Sequence, residues 1–211
     1  MVPHALSGSG HTHGVATHVS YGPNVPHDGE LRLCGDVGGR RALELGIATE
    51  VNALALAGAG AKAMAVDPSA ERIASGRTMA ESEGVRIEFH QGDLGDLGFA
   101  TSGSVDLVVA AGSLDGVDDL PRVLRQVHRI LKPEHALVMS FRHPIAAMLD
   151  GAEVVLRRPY GQAPSRSVSA LFTAVHRTNF RVDVMHELFA VGQTNAMVPT
   201  TLIIRARKLG V

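Results

Sequence analysis

The stretch Arg41-Ala-Leu-Glu-Leu-Gly-Ile-Ala-Thr-Glu50 runs an apolar segment into one glycine and then into a helix-forming segment. One step later, Ala65-Val66-Asp67-Pro68 repeats an apolar run that ends in a carboxylate. A buried strand, a tight turn, a helix and an acid at the next strand end form a nucleotide-binding half-site of a parallel α/β sheet.

The alternation continues along the chain. Strands are predicted at 41–45, 61–66, 86–90, 105–110 and 136–141. Helices are predicted at 30–36, 50–57, from a Ser69 cap to about Glu83, at 120–131, and at 168–179. Lys132-Pro133 stops the fourth of these, because the residue before a proline avoids the helical region. Val105–Ala110 is small and apolar throughout, as a strand covered on both faces must be. After Asp150 the pattern changes, and 181–191 and 200–207 alternate like antiparallel strands. Five β-units therefore alternate with helices, and a hairpin closes the sheet. Residues 1–27, rich in Gly, Ser, His and Pro, read as a flexible arm or lid. Residues 28–211 form one domain, with Ile145–Arg166 outside the core.

Composition narrows the function. The chain has 211 residues and a net charge of -1, so no whole-molecule field draws in nucleic acid or an anionic membrane. Trp is absent and the aromatic fraction is 4%, which leaves little for stacking single-stranded bases. No apolar run is long enough for a bilayer, and Met1–Tyr21 lacks a basic region followed by an apolar core. A soluble cytoplasmic protein is the expectation. One cysteine, Cys34, gives neither a disulfide framework nor a Cys-rich zinc site.

The turn also bears on which nucleotide is bound. A pyrophosphate needs G-x-G-x-x-G so that the backbone can approach it. Only Gly46 is present; Ala48 stands at the second glycine. Glu44 and Glu50 flank the turn and would each oppose a pyrophosphate by ~1 kcal/mol or more. A cationic, phosphate-free cofactor suits these acids better, and S-adenosyl-L-methionine is one. Its ribose needs an acceptor, which Asp67 supplies, and Asp93 is placed near its adenine.

Glu44-Leu-Gly46, Val66-Asp67-Pro68, Gln91-Gly-Asp93-Leu94, Val105-Asp-Leu-Val-Val-Ala110 and His128-Arg-Ile-Leu-Lys-Pro133 resemble, in order, the motifs of class I S-adenosylmethionine-dependent methyltransferases. The resemblance spans about residues 18–142. It implies a Rossmann-like, seven-stranded, mostly parallel sheet with helices on both faces and one antiparallel C-terminal strand. It places Glu44, Gly46 and Ala48 near the methionine part. Asp67 and Pro68 fall at the ribose, and Asp93 and Leu94 at the adenine. Ala110, Ala111 and Gly112 would lie under the sulfonium. His18-Val-Ser-Tyr21-Gly22 resembles an N-terminal segment of small bacterial members and implies that Tyr21 meets the cofactor. Where the family has further glycines, this chain has Ile47-Ala48-Thr49-Glu50.

A methylated hydroxyl must lose its proton, and a base should lie beyond the carboxyl ends of the central strands. His143, just past the fifth strand, is the first candidate; Asp115, after the fourth, is the second. Each also has a purely structural reading, as a core histidine and a turn aspartate. His11 and His13 put two imidazoles on one face of an extended segment, but no acid–histidine cluster accompanies them, so no metal site is assigned. The arm is read as a lid whose His11 and His13, with Arg142, meet the acceptor.

A polar, histidine-rich rim with few aromatics favours O-methylation of a sugar hydroxyl on a small-molecule or oligosaccharide acceptor. The arm and the irregular turn also resemble the sugar O-methyltransferases of methylmannose polysaccharide synthesis. Three alternatives stay open: methylation of a small amine or phenol, a non-catalytic binding protein on a degenerate site, and a nicotinamide oxidoreductase, which the glutamates disfavour. Two readings of the C-terminal hairpin also stay open. One is a homodimer across the apolar, β-branched strand Thr200–Ile204; the other is an edge capped by Arg205, Arg207 and Lys208.

Overall fold

The computed structural model describes residues 17–48, 50–150, 153–192 and 197–210. Seven strands form one sheet: β1 (Arg41–Leu45), β2 (Lys62–Asp67), β3 (Ile87–Gln91), β4 (Val105–Ala111), β5 (Leu131–Arg142), β8 (Phe180–Leu188) and β9 (Thr201–Lys208). Between β5 and β8 lies a small hairpin, β6 (Leu149–Asp150) with β7 (Glu153–Leu156). The sheet order is β3-β2-β1-β4-β5-β9-β8. Pairings from β3 through β5 are parallel, and β9 runs antiparallel to both β5 and β8. Only β9 is therefore reversed, and this is the Rossmann-like sheet that the motifs implied.

Alternation along the strands sorts the core into two layers. Leu43 and Leu45 of β1, with Val108 of β4, face α4 (Leu120–Ile130) and α5 (Val168–Arg177). Ala42, Ala63, Ala65 and Val109 face α2 (Asn52–Gly58) and α3 (Ala70–Ser82). α4 buries Leu120, Val123, Leu124, Val127 and Ile130, one stripe at helical spacing. Asp119 caps it by accepting the Arg122 N–H at 2.9 Å. Ser69 caps α3 in the same way.

Several boundaries differ from the sequence reading. α4 ends at Ile130, and β5 already starts at Leu131, which pairs with Val105 before a register shift. The pre-proline restriction acts on Lys132, so the chain is extended before it reaches Pro133. The first helix is one short turn, α1 (Asp28–Leu31), capped by His27. The strand 200–204 is not an edge. β9 lies between β5 and β8, and β8 is the outer strand. A dimer contact of the kind anticipated would have to use β8.

The described part of the arm is packed, not free. Val19 and Tyr21 are buried at 4% and 2% exposure. Asn52, at the first position of α2, grips the arm from both sides: its Oδ1 accepts the Ser20 N–H at 2.7 Å, and its Nδ2 donates to the Ser20 carbonyl at 3.0 Å. The packed core thus extends N-terminal to residue 28. Asn52→Ala removes both bonds and is expected to lower stability by ~1–3 kcal/mol, read from urea midpoints. An unchanged midpoint would show that the arm docks by its apolar contacts alone.

Candidate functional site

The carboxyl ends of β1, β2 and β4 meet at one place. Gly46 leaves β1 at φ +78°, and a methyl group added there would lie 2.5 Å from Ser113 Cβ and 3.3 Å from Leu94 Cδ1. Only glycine fits such a position. Ser113 donates its hydroxyl to the Leu45 carbonyl, bridging the β4 loop to β1. A Cβ added at Gly112 would lie 4.0 Å from Ala48 Cβ. Asp67, at the end of β2, accepts the Ile47 N–H on Oδ2 and the Ser69 N–H on Oδ1, both at 2.8 Å. Arg72 Nη1 lies 3.5 Å from Oδ2. Gly46, Ala48, Asp67, Leu94 and the turn after Ala110-Ala111 are therefore brought together, as the motifs required.

Glu44 has a different partner from the one assigned to it. Its side chain points toward α2, and its carboxyl accepts the Asn52 N–H at 2.9 Å and the Ala53 N–H at 2.8 Å. Val51, the residue at the helix cap, offers no side-chain bond, so Glu44 caps α2 from the neighbouring strand. Leu54 N–H goes to the Val51 carbonyl at 3.1 Å. The donors that a pyrophosphate would use are thereby taken. Burial pushes the Glu44 carboxyl up to about 8, the two backbone N–H bonds only partly opposing this. At neutral pH the acid excludes phosphate chiefly by occupying its donors, not by repelling it.

This arrangement fits an adenosine cofactor without phosphate. Asp67, with Pro68 beside it, would hold the ribose hydroxyls, Leu94 the adenine, and Gly46, Ala110, Ala111 and Gly112 the methionine portion. Each Asp67 oxygen already accepts one N–H and keeps a second lone pair for a hydroxyl. Asp67 is only 1% exposed, so a ribose reaches it after covering residues move. Asp93 spends Oδ1 on the Gly95 N–H at 2.6 Å and stands 3.9 Å from Arg122. It lines a pocket of about 280 Å³ with Val66, His90 and Phe99. The His90 and Phe99 rings stack there at 3.8 Å.

Tyr21 is not part of this group. Its hydroxyl donates to Asp28 Oδ1 at 2.6 Å and lies 3.4 Å from Cys34 Sγ. Asp28 Oδ1 also accepts the Leu33 N–H at 2.7 Å. Burial raises both the Tyr21 phenol and the Cys34 thiol, the latter to about 12, so both stay neutral. Tyr21 is a core residue that ties the arm to α1.

His143 is also a structural residue. It is 1% exposed, its Nε2 lies 2.8 Å from Glu187 Oε1, and its Nδ1 accepts the Ile145 N–H at 3.2 Å. An Nδ1 that accepts leaves the ring proton on Nε2, where it is donated to Glu187. Both nitrogens are used, so neither is free to take a substrate proton. Its backbone N–H goes to Thr200 and its carbonyl to Ala147, which makes it the corner between β5 and β9.

Asp115 is the better-placed base. Its Oδ2 accepts the Arg142 N–H at 2.9 Å, which links the β4 loop to the end of β5. The residue itself is exposed, but partial desolvation by the pocket wall raises its carboxyl, against the pull of that N–H and of the Arg142 and Arg166 charges. It lines a pocket of about 290 Å³ with Gly116, Arg142, Arg158, Gln162 and Ser165. Arg158 and Gln162, like Ser113, were not singled out from the sequence. Ser113 follows Gly112 at a strand end and was within reach of the motif reading; Arg158 lies in a segment with no period. His11 and His13 fall outside the described residues. Among the described residues no three His, Cys, Asp or Glu side chains cluster as metal ligands, and no helix is long and apolar enough to cross a membrane.

Residues 43–139 match the family model of a methyltransferase domain. A ubiquinone biosynthesis O-methyltransferase of Sodalis glossinidius is 31% identical over 131 residues, covering 60% of this chain and 53% of the relative. The chain thus spans about half the length of the curated relatives it matches. A solved S-adenosylmethionine-dependent methyltransferase of Mesorhizobium loti superposes with a TM-score of 0.70 at 22% identity, over 84% of this chain and 95% of that one. A solved [4+2]-cyclase superposes with a TM-score of 0.66 at 17% identity, over 85% and 79%, so the fold alone does not fix the reaction.

Glu44 also has a consequence for stability. Its folded value stands above that of an unfolded glutamate, so folding takes up a proton between about pH 4.5 and 8. That contribution is complete at low pH and is lost as pH rises. Relative to Glu44→Gln, the wild type is expected to lose on the order of a few kcal/mol between pH 5 and 8, read from denaturant midpoints. A gap that stays flat or widens would show that the carboxyl is ionised throughout. The sheet order is that of a Rossmann-like fold, and within it residues 43–139, which include most of the strand-end cluster, are similar to a methyltransferase domain.

Proposed function

We propose that the chain moves a methyl group from S-adenosylmethionine to a hydroxyl of a small polar acceptor, with Asp115 as general base. The observation that carries this is the pocket at Asp115. It sits at the carboxyl ends of β4 and β5, beside the cluster around Gly46, Asp67 and Ser113. When bound, the cofactor supplies an electrophilic methyl on a sulfonium. The chain supplies the alignment and the proton acceptor. Asp115 Oδ2 is fixed by the Arg142 N–H, which leaves Oδ1 for the acceptor's hydroxyl proton.

The pocket lining supports a hydroxyl-rich acceptor. Arg142, Arg158, Gln162 and Ser165 offer hydrogen bonds, and no aromatic ring is among the lining residues. A mannoside of a methylated polysaccharide falls within this class. The relatives named as O-methyltransferases support transfer to oxygen. A second reading, ligand binding without turnover, draws on the closed strand-end cluster, with Ser113 over Gly46 and Asp67 1% exposed.

Calorimetry with S-adenosylhomocysteine tests the cofactor, and a panel of acceptors with labelled methyl donor tests turnover. Binding with no transfer to any acceptor would favour the second reading. Asp115→Asn keeps an oxygen for the Arg142 N–H and should cut turnover by ~10²-fold or more while cofactor affinity holds. Equal turnover would remove Asp115 as base. His143→Ala should instead lower stability by ~1–3 kcal/mol through the stranded Glu187 and Ile145 groups, with turnover per folded molecule kept.

A further inference from the structure

We propose that the acceptor carries an oxyanion, a carboxylate or a phosphate, held by Arg142 and Arg158 while its hydroxyl faces Asp115. The inference rests on the methyl-transfer reading above and names the acceptor's charge. Two arginines, Arg142 and Arg158, line the same pocket as the Asp115 carboxylate. Arg166 lies close enough to act on Asp115 as a third cation. It is anchored by donating to the Val117 and Asp118 carbonyls.

Among the described residues neither lining arginine forms an ion pair within 4.0 Å, and one of them, Arg142, is anchored by its side chain. Arg142 donates one bond, from Nη2 to the Ala146 carbonyl at 2.9 Å, and no acid lies within ion-pair distance among the described residues. Arg158 follows β7, and its backbone N–H and that of Arg157 both go to the Met148 carbonyl, at 3.3 and 2.8 Å. Its side chain has no acidic partner among the described residues. By contrast, Asp183 pairs with Arg205 and Arg207, and Asp106 with Lys132. At the Asp115 pocket the balance is positive before any ligand enters.

A neutral polyol would leave that surplus unmatched at the pocket. An oxyanion removes it through the fork geometry of a guanidinium, and it orients the acceptor so that one hydroxyl meets Asp115. A volume of about 290 Å³ accommodates one small acceptor rather than a chain.

The test uses the full chain saturated with S-adenosylhomocysteine. Calorimetric titrations compare mannose 6-phosphate with mannose, and galacturonate with galactose. The charged member of at least one pair should bind about 10-fold or more tightly than its neutral partner, and which pair does so tells phosphate from carboxylate. The advantage should fall with added salt. Arg142→Gln and Arg158→Gln should each shrink it to about 3-fold or less, with S-adenosylhomocysteine affinity unchanged. Equal binding within both pairs overturns the inference, as does absence of binding by either anion at millimolar concentration. An advantage that survives both substitutions also overturns it. Failure of S-adenosylhomocysteine itself to bind overturns the methyl-transfer reading and this inference together.

Discussion

The Glu44 carboxyl at the head of α2 fixes the geometry from which the rest of the site follows. A carboxyl at 1% exposure is costly unless hydrogen-bonded, and a helix start without a side-chain cap leaves N–H groups exposed to the same cost. Each defect is the other's remedy. The Asn52 and Ala53 N–H groups satisfy the acid, and the acid sets where α2 begins relative to β1. Asp67 repeats the arrangement from β2 by accepting the Ile47 N–H. The turn between β1 and α2 is thus held by an acid on each side, and one glycine suffices because bonds to these acids replace the conformational freedom of the others.

The same pair of bonds corrects the reason for preferring a phosphate-free cofactor. Reading Glu44 as a charge beside the turn led to the right class of ligand through repulsion. In the fold, burial pushes the group up to about 8, so its charge is weakened near neutrality. The donors are nevertheless gone, because the acid occupies them. Glu50 is exposed and makes no side-chain bond to the described residues of the turn, so it adds little to either account.

The cofactor half of the molecule was legible because it is built from short-range pattern. Each strand is an apolar run, each turn follows it directly, and Gly46, Asp67 and Leu94 meet merely because parallel strands align their carboxyl ends. Most helix and strand ends moved by one or two residues, but β5 starts five residues early, at Leu131, where the proline's effect falls on Lys132. What could not be read depended on crossovers. That β9 lies inside the sheet follows from a long connection that inserts it between β5 and β8. The reading of His143 as a base missed its partner for the same reason: Glu187, which accepts the bond from its Nε2–H, is 44 residues away on β8. Tyr21 failed because Asp28 and Cys34 reach it through the arm's docking, which no period announces.

The pocket at Asp115 is assembled differently. Asp115 comes from the β4 loop, Arg142 from the end of β5, and Arg158 and Gln162 from the insert after β7. Of these only Asp115 lies within the stretch 43–139 that matches the methyltransferase-domain model. The base and the cations are also coupled. Burial raises the Asp115 carboxyl while Arg142 and Arg166 hold it down. An anion seated on Arg142 would offset part of that restraint and leave Asp115 more basic only when an acceptor is present. A neutral ligand in the same pocket would leave the restraint in place. Charge on the acceptor would then govern the proton transfer as well as the binding.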